Sequence, residues 1–398
     1  MHILIIPSER YLPDDSPLSG IFQRHQAKAL VRHGYQVGIV SPDLFTSRFS
    51  EMLKIRVSER NARDFTYLDE EIPVHKKKIW VWERFISNYS RVWIKTGLGI
   101  FEKYINCHGI PDVIHAHNAI IAGLLAQSIY QKYNIPYVIT EHSSVFALGN
   151  LDDQELNDVK TAYSHSKALI AVSPSLCELL EGKFHQLRQT WQWVPNLIDP
   201  EFESGLPKTY RKKELVGELK LLAIASLDRN KGIDTLLGAL ANFVHTSSKV
   251  RLTIVGSGPE KENLKQLAKQ LNIMEIISFK GYLDRRQVKD EILKCDCLVH
   301  PSRYETFGVV LIETLMHGKP VISTACGGPE CIVNDRNGIL VPIDNADALA
   351  GAIQGMAENI NRFDPALIQK DCLDRFGSKP VVNALRSIYC VAMGLNPT

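Results

Sequence analysis

The sequence predicts an α/β protein with two doubly wound, Rossmann-like domains that face each other across a cleft. Short apolar runs alternate with helical patterns along most of the 398 residues, which indicates parallel sheets covered by helices. The alternation breaks once, near residue 200, in a segment rich in proline, glycine and charge. The chain is also long enough for two domains, each with its own core.

The first series of elements forms an N-terminal domain, residues 1–198. Six short apolar runs, each bounded by polar or turn-forming residues, predict strands. They lie at residues 3–6, 37–41, 113–115, 137–140, 169–172 and 192–194. Helical periodicity between them predicts helices at 20–33 and 123–133.

The second series follows a break at residues 195–213, where Asp199-Pro200 and the charged run Arg211-Lys212-Lys213 are typical of a linker. It predicts six more strands and three helices. The strands lie at 219–225, 251–255, 276–279, 297–300, 320–323 and 338–341, and the helices at 232–243, 260–270 and 347–356. We therefore predict a C-terminal domain at 199–375 and a final helix, within 376–398, that packs back on the N-terminal domain.

Composition limits the classes of function. The formal net charge of +2 does not indicate a nucleic-acid-binding protein. No apolar stretch approaches the ~20 residues that cross a bilayer, and the first residues lack the charged start of a signal peptide. The eight cysteines have neither redox-pair nor zinc spacing, which indicates reduced thiols and a cytoplasmic location.

Residues 74–95 combine positive charge with tryptophan. The segment contains His75-Lys76-Lys77-Lys78, Trp80, Trp82, Arg84, Arg91, Trp93 and Lys95. This mixture suits peripheral contact with anionic lipid at the inner face of the plasma membrane. It also suits a solvated strand edge whose tryptophans enter the core, and both interpretations stay open.

Residues 305–313, with the sequence ETFGVVLIE, give the strongest functional signal. The second half is an apolar helix that Gly318 and Pro320 end. Glu305 precedes the helix start, where free N–H groups and the helix dipole attract anions. Glu313 lies inside the apolar run, where a carboxylate is costly to bury without a partner. We predict a nucleotide-sugar clamp, with phosphates on the helix N–H groups and a vicinal diol on a carboxylate.

Three more motifs accompany this segment: residues 226–232, Gly256-Ser257-Gly258-Pro259 and Gly327-Gly328-Pro329-Glu330. With them, about residues 1–360 resemble the retaining GT-B glycosyltransferases of family 4, also called group 1. The resemblance implies a GT-B fold whose N-terminal domain takes the acceptor and whose C-terminal domain takes the nucleotide sugar.

The resemblance also implies roles for residues of the C-terminal half. Glu305 would be a catalytic residue that contacts the donor sugar, and Glu313 would bind the ribose hydroxyls. Lys231 would neutralise the diphosphate, whose charge grows as the glycosidic bond breaks. Many relatives carry an arginine five residues before this lysine, where this chain has Ser226. Arg229 either supplies the missing charge or is a solvated surface arginine.

Further donor contacts are implied around the helix start and in the N-terminal half. Phe307, Gly308 and Val309 would surround the diphosphate between the two glutamates. Gly20 would let the backbone approach the donor phosphate or the acceptor. His142 would be a catalytic residue that contacts the donor sugar near its primary hydroxyl.

Three neighbours of this histidine also lie at strand ends: Glu141, His115 and His117. Glu141 either orients His142, meets the acceptor or is structural. One of the other two histidines could line the cleft, but a structural role is the simpler interpretation for each.

The reaction implied by the resemblance is transfer of a hexose from a nucleotide diphosphate sugar to an acceptor hydroxyl, with retention at the anomeric carbon. The sequence contains no Asp-x-Asp motif, so we expect neither a metal nor another cofactor. UDP-glucose or another UDP-hexose is the first expected donor and GDP-mannose the second. The acceptor would be a growing exopolysaccharide, a polyprenyl-linked glycan or a soluble small molecule. A GT-B sugar-nucleotide 2-epimerase and a non-catalytic nucleotide-binding scaffold are the alternatives.

Overall fold

The structure is a computed structural model that describes residues 1–13, 19–47, 63–82, 89–149, 151–203, 206, 217–243 and 249–396. The charged run at 211–213, Arg84 and the side chains of Trp80 and Trp82 lie outside this description. The chain divides into two compact units. Unit 1 comprises Met1–Val172, Leu176–Pro200 and Ser378–Thr398, and unit 2 comprises Ser173–Ser175 and Glu201–Gly377.

Unit 1 is built on one eight-stranded sheet. Its strands are β1 (His2–Pro7), β2 (Gln36–Ser47), β3 (Arg63–Asp69), β4 (Ile72–Trp82), β5 (Val113–His117), β6 (Tyr137–Glu141), β7 (Ala168–Ala171) and β8 (Trp191–Trp193). They follow the order β3-β4-β2-β1-β5-β6-β7-β8. Every pairing is parallel except that of β3 with β4.

Among the described residues, six helices lie between these strands. They are α1 (Ile21–Arg32), α2 (Tyr89–His108), α3 (Leu124–Tyr133), α4 (Val145–Leu148), α5 (Asp153–His165) and α6 (Pro174–Lys183). A π-helical turn at Ala119–Gly123 precedes α3. Helix α5 begins with a capping box in which Asp152 and Glu155 each accept the other's backbone N–H, and such a box defines a helix start from local sequence alone.

Unit 2 has a six-stranded, fully parallel sheet. Its strands are β9 (Glu218–Ile224), β10 (Lys249–Val255), β11 (Ile277–Gly281), β12 (Cys297–His300), β13 (Val321–Thr324) and β14 (Gly338–Val341), in the order β11-β10-β9-β12-β13-β14. The helices are α7 (Pro200–Glu203), α8 (Ile233–Phe243), α9 (Lys261–Gln270), α10 (Arg285–Lys294), α11 (Val309–Met316), α12 (Ala346–Asn359) and α13 (Pro365–Phe376). The predicted α/β class with two Rossmann-like units is therefore confirmed.

The last helix, α14 (Ser378–Ala392), belongs to unit 1. Its apolar face joins the core that covers β1 and β2, where Leu385 and Tyr389 pack in one cluster with Ile3 and Ile39. These side chains are almost fully buried, so the end of the chain completes the hydrophobic core of unit 1.

The predicted strands omit β3 and β4, although a strand edge was one of the two interpretations of residues 74–95. Strand β4 contains three consecutive lysines, which interrupt the alternation of apolar and polar residues that indicates a strand. Lys76 is nevertheless buried, because its Nζ lies 2.9 Å from Asp43 Oδ2 and donates to the Tyr11 carbonyl oxygen at 2.5 Å. A lysine tolerates such a position only with partners of this kind.

The order of the strands decides which loops meet at the carboxyl edge of each sheet. In unit 2, β9 and β12 are neighbours although they are far apart in the chain, and the switch point of the doubly wound sheet lies between them. The loops at 225–232 and 301–308 therefore leave the same edge side by side. In unit 1 the corresponding strands are β1 and β5. Within the part of the chain that the structure describes, no helix combines the length and the apolar character needed to cross a membrane.

Candidate active site

Helix α11 begins at the carboxyl edge of unit 2, just after the loop that follows β12. Gly308 precedes it with φ of 102°, in the left-handed region that glycine adopts without strain. Among the described residues, no side chain caps this end of α11, and the first N–H groups of a helix have no partner within it. The end that contains Gly308 and Val309 is therefore suited to bind an anion.

Glu305 is held through both its backbone and its carboxylate. Its N–H donates to the Cys326 carbonyl at 3.1 Å, and its carbonyl accepts from the Gly328 N–H at 2.7 Å. Its Oε2 lies 2.8 Å from Lys231 Nζ and 3.5 Å from His300 Nε2. Burial raises the pKa of this carboxyl, but the hydrogen bond from His300 and the positive charge of Lys231 outweigh burial and lower the pKa to about 2. Glu305 is a carboxylate at neutral pH.

The loop that carries Lys231 is tied directly to the loop that carries Glu305. Asn230 Nδ2 donates to the Tyr304 carbonyl at 2.9 Å, and the Asn230 carbonyl accepts from the Arg303 N–H at 2.7 Å. These two hydrogen bonds join the residue before Lys231 to the two residues before Glu305. The positions of the ammonium and the carboxylate are thus set by backbone contacts as well as by their mutual attraction.

Ser226 and Arg229 have other partners. Ser226 Oγ donates to Asp228 Oδ2 at 2.6 Å. The Arg229 side chain is 87% exposed, and its Nε lies 3.4 Å from Glu260 Oε1. The guanidinium therefore has its own carboxylate partner at the surface, whereas the ammonium of Lys231 points to Glu305.

Glu313 is buried inside α11 and has the basic partner that such a carboxylate requires. It is 4% exposed, and its Oε1 lies 2.7 Å from Arg285 Nη2. The guanidinium of Arg285 in turn lies over the ring of Phe202, 4.6 Å from its centroid. The ion pair and the stacked ring fix the orientation of the Glu313 carboxylate.

Phe307 lies between the two glutamates, but its side chain faces the core. It is 1% exposed and packs edge-on against Phe376, with ring centroids 5.8 Å apart. Any contact of Phe307 with a donor must therefore use its backbone.

His142 follows β6 in unit 1. Its Nε2 shares a hydrogen bond with His117 Nδ1 at 2.8 Å, and its backbone N–H donates to Asn118 Oδ1 at 2.9 Å. The ring of Phe22 stacks on the imidazole at a centroid distance of 6.4 Å. Burial lowers the pKa of His142 to about 4, so the ring is neutral at pH 7. Gly20 is the N-cap of α1, two residues before Phe22, which places it at the same edge of the sheet.

The neighbours of His142 make contacts within the protein. Glu141 Oε1 accepts from the Ala119 N–H at 2.6 Å and from the Tyr163 hydroxyl at 2.8 Å. Burial raises its pKa to about 7, although both hydrogen bonds act in the opposite direction. His115 is fully buried and bonds the Tyr389 hydroxyl and the Thr140 hydroxyl, each at 2.7 Å.

Two family models match this chain. The model described as "Glycosyl transferases group 1" matches residues 208–363, and the one described as "Glycosyltransferase Family 4" matches residues 20–202. The chain belongs to the group 1, family 4 glycosyltransferases. The prediction that this protein is a glycosyltransferase of that family is confirmed.

Individual relatives agree with this assignment. A glycogen synthase of Mycobacterium tuberculosis is 25% identical over 93% of this chain and 88% of its own length. N-acetyl-alpha-D-glucosaminyl L-malate synthase of Bacillus anthracis is 29% identical over 70% of this chain and 74% of its own. Among solved structures, a sucrose-phosphate synthase of Thermosynechococcus elongatus matches 98% of both chains with a TM-score of 0.72 and 19% identity. The likeness in structure confirms the GT-B fold.

Several residues at these sites were not predicted from the sequence. They are His300, Asn230, Arg285, Phe22 and Asn118. His300 ends the strand before Glu305, and a polar residue at the carboxyl end of a strand is a signal that could have been used. Arg285 gives no such signal, because its contact with Glu313 depends on how α10 and α11 pack.

Proposed function

We propose that this glycosyltransferase moves a hexose from a nucleotide diphosphate sugar to an acceptor hydroxyl, with retention at the anomeric carbon and without a metal ion. The observation that carries the proposal is the ion pair of Lys231 with Glu305 beside the open start of α11. A diphosphate on the helix N–H groups would have the Lys231 ammonium within reach. A fixed cation there stabilises the charge that grows on the leaving group.

The two glutamates would hold the sugar and the ribose. Glu305 is ionised, so it can accept hydrogen bonds from two sugar hydroxyls. Glu313 is oriented by Arg285 before any ligand binds, and a preset carboxylate accepts the two hydroxyls of a ribose without a further loss of side-chain entropy.

Retention would follow a front-face route. The bond from the anomeric carbon to the donor phosphate oxygen breaks, and the bond to the acceptor oxygen forms on the same face. The departing phosphate takes the acceptor proton. This route is supported by the partners of Glu305, because a carboxylate paired with Lys231 and His300 is a weaker nucleophile than a free one. His142 and Gly20 are assigned to the donor sugar and phosphate through the family resemblance, and Arg229 is not needed for this assignment.

The donor we favour is UDP-glucose or another UDP-hexose, with GDP-mannose second. The names of two relatives refer to glycogen and to an N-acetyl-alpha-D-glucosaminyl group, which supports a gluco-configured sugar. We propose an exopolysaccharide or polyprenyl-linked glycan as the acceptor, used in the cytoplasm or at the inner face of the plasma membrane. All eight cysteines are free thiols, which supports a reducing compartment.

The proposal is tested first by thermal unfolding of the protein with UDP, GDP, ADP and their sugars. A ligand that binds only the folded state raises the unfolding midpoint. Nuclear magnetic resonance of the product with the best donor then reports the anomeric configuration, and the assay is repeated with EDTA. We expect an α-linked product from an α-linked donor, unaffected by the chelator. If no nucleotide raises the midpoint, the proposal is wrong.

A matched pair of variants separates transfer from the alternatives. Glu305→Gln should abolish transfer, whereas Glu358→Gln, an exposed change on α12, should not. A protein that binds UDP but transfers no sugar from any donor would be a nucleotide-binding scaffold. A protein that converts UDP-N-acetylglucosamine to its 2-epimer would be an epimerase.

A further inference from the structure

Unit 1 contains a cavity of about 220 Å³ between α2 and the β3–β4 hairpin. Three lysines line it, Lys77 from β4 and Lys95 and Lys103 from α2, together with Asp64 from β3 and Gly99. None of these residues belongs to the donor site of unit 2. The volume is several times that of one water molecule, so a small charged group fits.

The sequence of α2 places the lysines on one face. Lys95, Gly99 and Lys103 are spaced four residues apart and therefore lie in one row along the helix. A Cβ atom on Gly99 would meet no atom within 4 Å, so the surface between the two lysines is open. The cavity therefore lies over Gly99, with Lys95 on one side and Lys103 on the other.

The charges of the cavity do not cancel. Asp64 is the cross-strand partner of Lys77, whose Nζ lies 3.6 Å from its Oδ1, and it also binds Lys103. The hydrogen bond from Lys103 is the main cause of a lowered pKa for Asp64, so this carboxylate is ionised. The lining contains three lysines and one aspartate, so two positive charges are in excess. Lys77 and Lys103 are 33% and 59% exposed, so a solute can reach them.

The ladders of the sheet place the cavity beside the middle of β4. Ile5 pairs with Ile39, and Ser41 pairs with Lys76. Counted along these ladders, Lys76 is level with Pro7, the last residue of β1. Lys77 is one residue further, in the middle of β4, because the ladder of β2 with β4 continues to Ser47 and Trp82.

We propose that this lysine cavity binds the phosphate group of a phosphate monoester. A phosphate monoester carries about −1.5 to −2 charges at pH 7, which matches the two excess positive charges. The phosphate site rests on the cavity and not on the proposed function. The phosphate can come from a soluble sugar phosphate or from a lipid headgroup.

The experiment measures binding of inorganic phosphate, glucose 6-phosphate and sn-glycerol 3-phosphate to the full chain by calorimetry, with glucose as the uncharged control. Lys95→Gln/Lys103→Gln should weaken the binding of the phosphates at least tenfold. Asp64→Asn should strengthen it several-fold, because it removes the opposing charge. The matched control is Lys294→Gln/Lys370→Gln, which removes two exposed, ion-paired lysines of unit 2 and should change binding less than twofold.

Three results would overturn the proposal: no binding of any phosphate by the wild type, equal weakening in the control variant, or weaker binding by Asp64→Asn. Sedimentation with phosphatidylglycerol and phosphatidylcholine vesicles distinguishes the sources. Retention on the anionic vesicles that depends on Lys95 and Lys103 assigns a lipid headgroup, and soluble binding without retention assigns a sugar phosphate. The midpoint shift with UDP is recorded on the same variants. If UDP does not shift the midpoint of the wild type, the proposed function is refuted, whereas the proposed phosphate site is not affected by that result.

Discussion

The ion pair of Lys231 with Glu305 should stabilise unit 2 by a measurable amount, and a double-mutant cycle tests it. The side chains are 22% and 18% exposed, and the two atoms are 2.8 Å apart. The pKa of Glu305 falls from 4.5 to about 2, which corresponds to about 3 kcal/mol for the ionised carboxylate over the acid. His300 supplies part of this stabilisation. We therefore expect a coupling free energy of about 1–2 kcal/mol between Lys231 and Glu305.

The cycle uses Lys231→Met, Glu305→Gln and the double variant, with unfolding followed by calorimetry at pH 7. A coupling of this size shifts the midpoint by about 2–8 °C in a unit of this length. The control is the pair of Glu291 with Lys294, which has the same 2.8 Å distance but a lysine that is 66% exposed. Its cycle should give no coupling above the error of the measurement, because solvent screens surface pairs.

The pH dependence of the coupling gives an independent test. The pKa of Glu305 is lower in the folded protein than in the unfolded chain, so its contribution is complete above about pH 4.5 and is lost as the pH falls toward 2. The coupling measured at pH 7 should therefore decrease at pH 3.5. A coupling at pH 7 no larger than that of the surface pair, or one that grows in acid, would show that the ion pair does not stabilise unit 2.

Three further changes have defined outcomes. Gly328→Ala should destabilise the protein and abolish the midpoint shift with nucleotide, because the new Cβ would lie 2.3 Å from a backbone atom of the loop before α11. The control is Gly351→Ala, where the Cβ meets nothing within 4 Å. This control should be neutral or stabilising by thermal unfolding. Arg285→Leu should cost about 2 kcal/mol or more in denaturant titrations, because it leaves the buried Glu313 carboxylate without its ion pair, and an unchanged midpoint would contradict this. The pKa of Glu141 is raised to about 7, so its contribution to stability is greatest below pH 4.5 and declines up to about pH 7. Glu141→Gln should remove this decline of about 3 kcal/mol. Parallel stability–pH curves for the two proteins would show that Glu141 is not the cause.

The predicted strands and helices follow from local patterns that survive in the folded protein. Strands such as β1 and β7 are buried along their whole length, and a strand covered on both faces reads as a continuous apolar run. Strands β3 and β4 were not among the predicted strands because their lysines find partners far away in the chain. Lys76 binds Asp43, a contact that no local pattern contains.

The residues of the candidate site also divide into those that the sequence could predict and those that it could not. The glutamates and Lys231 could be named from their positions beside a helix start and from the family resemblance. Their neighbours could not, because Arg285 reaches Glu313 only through the packing of two helices. His300 was accessible in principle, since it ends a strand directly before the site.

Local sequence is enough to predict the alternation of strands and helices, the glycine at the start of α11 and the carboxylates around it. Which of the charged side chains form ion pairs depends on the folding of the whole unit. Lys231 and Glu305 are 74 positions apart, and Arg285 and Glu313 are 28 apart. The first pair forms because β9 and β12 are neighbours in the sheet, and the order of strands in a sheet is set by packing of the whole unit. Local sequence contains no record of that order.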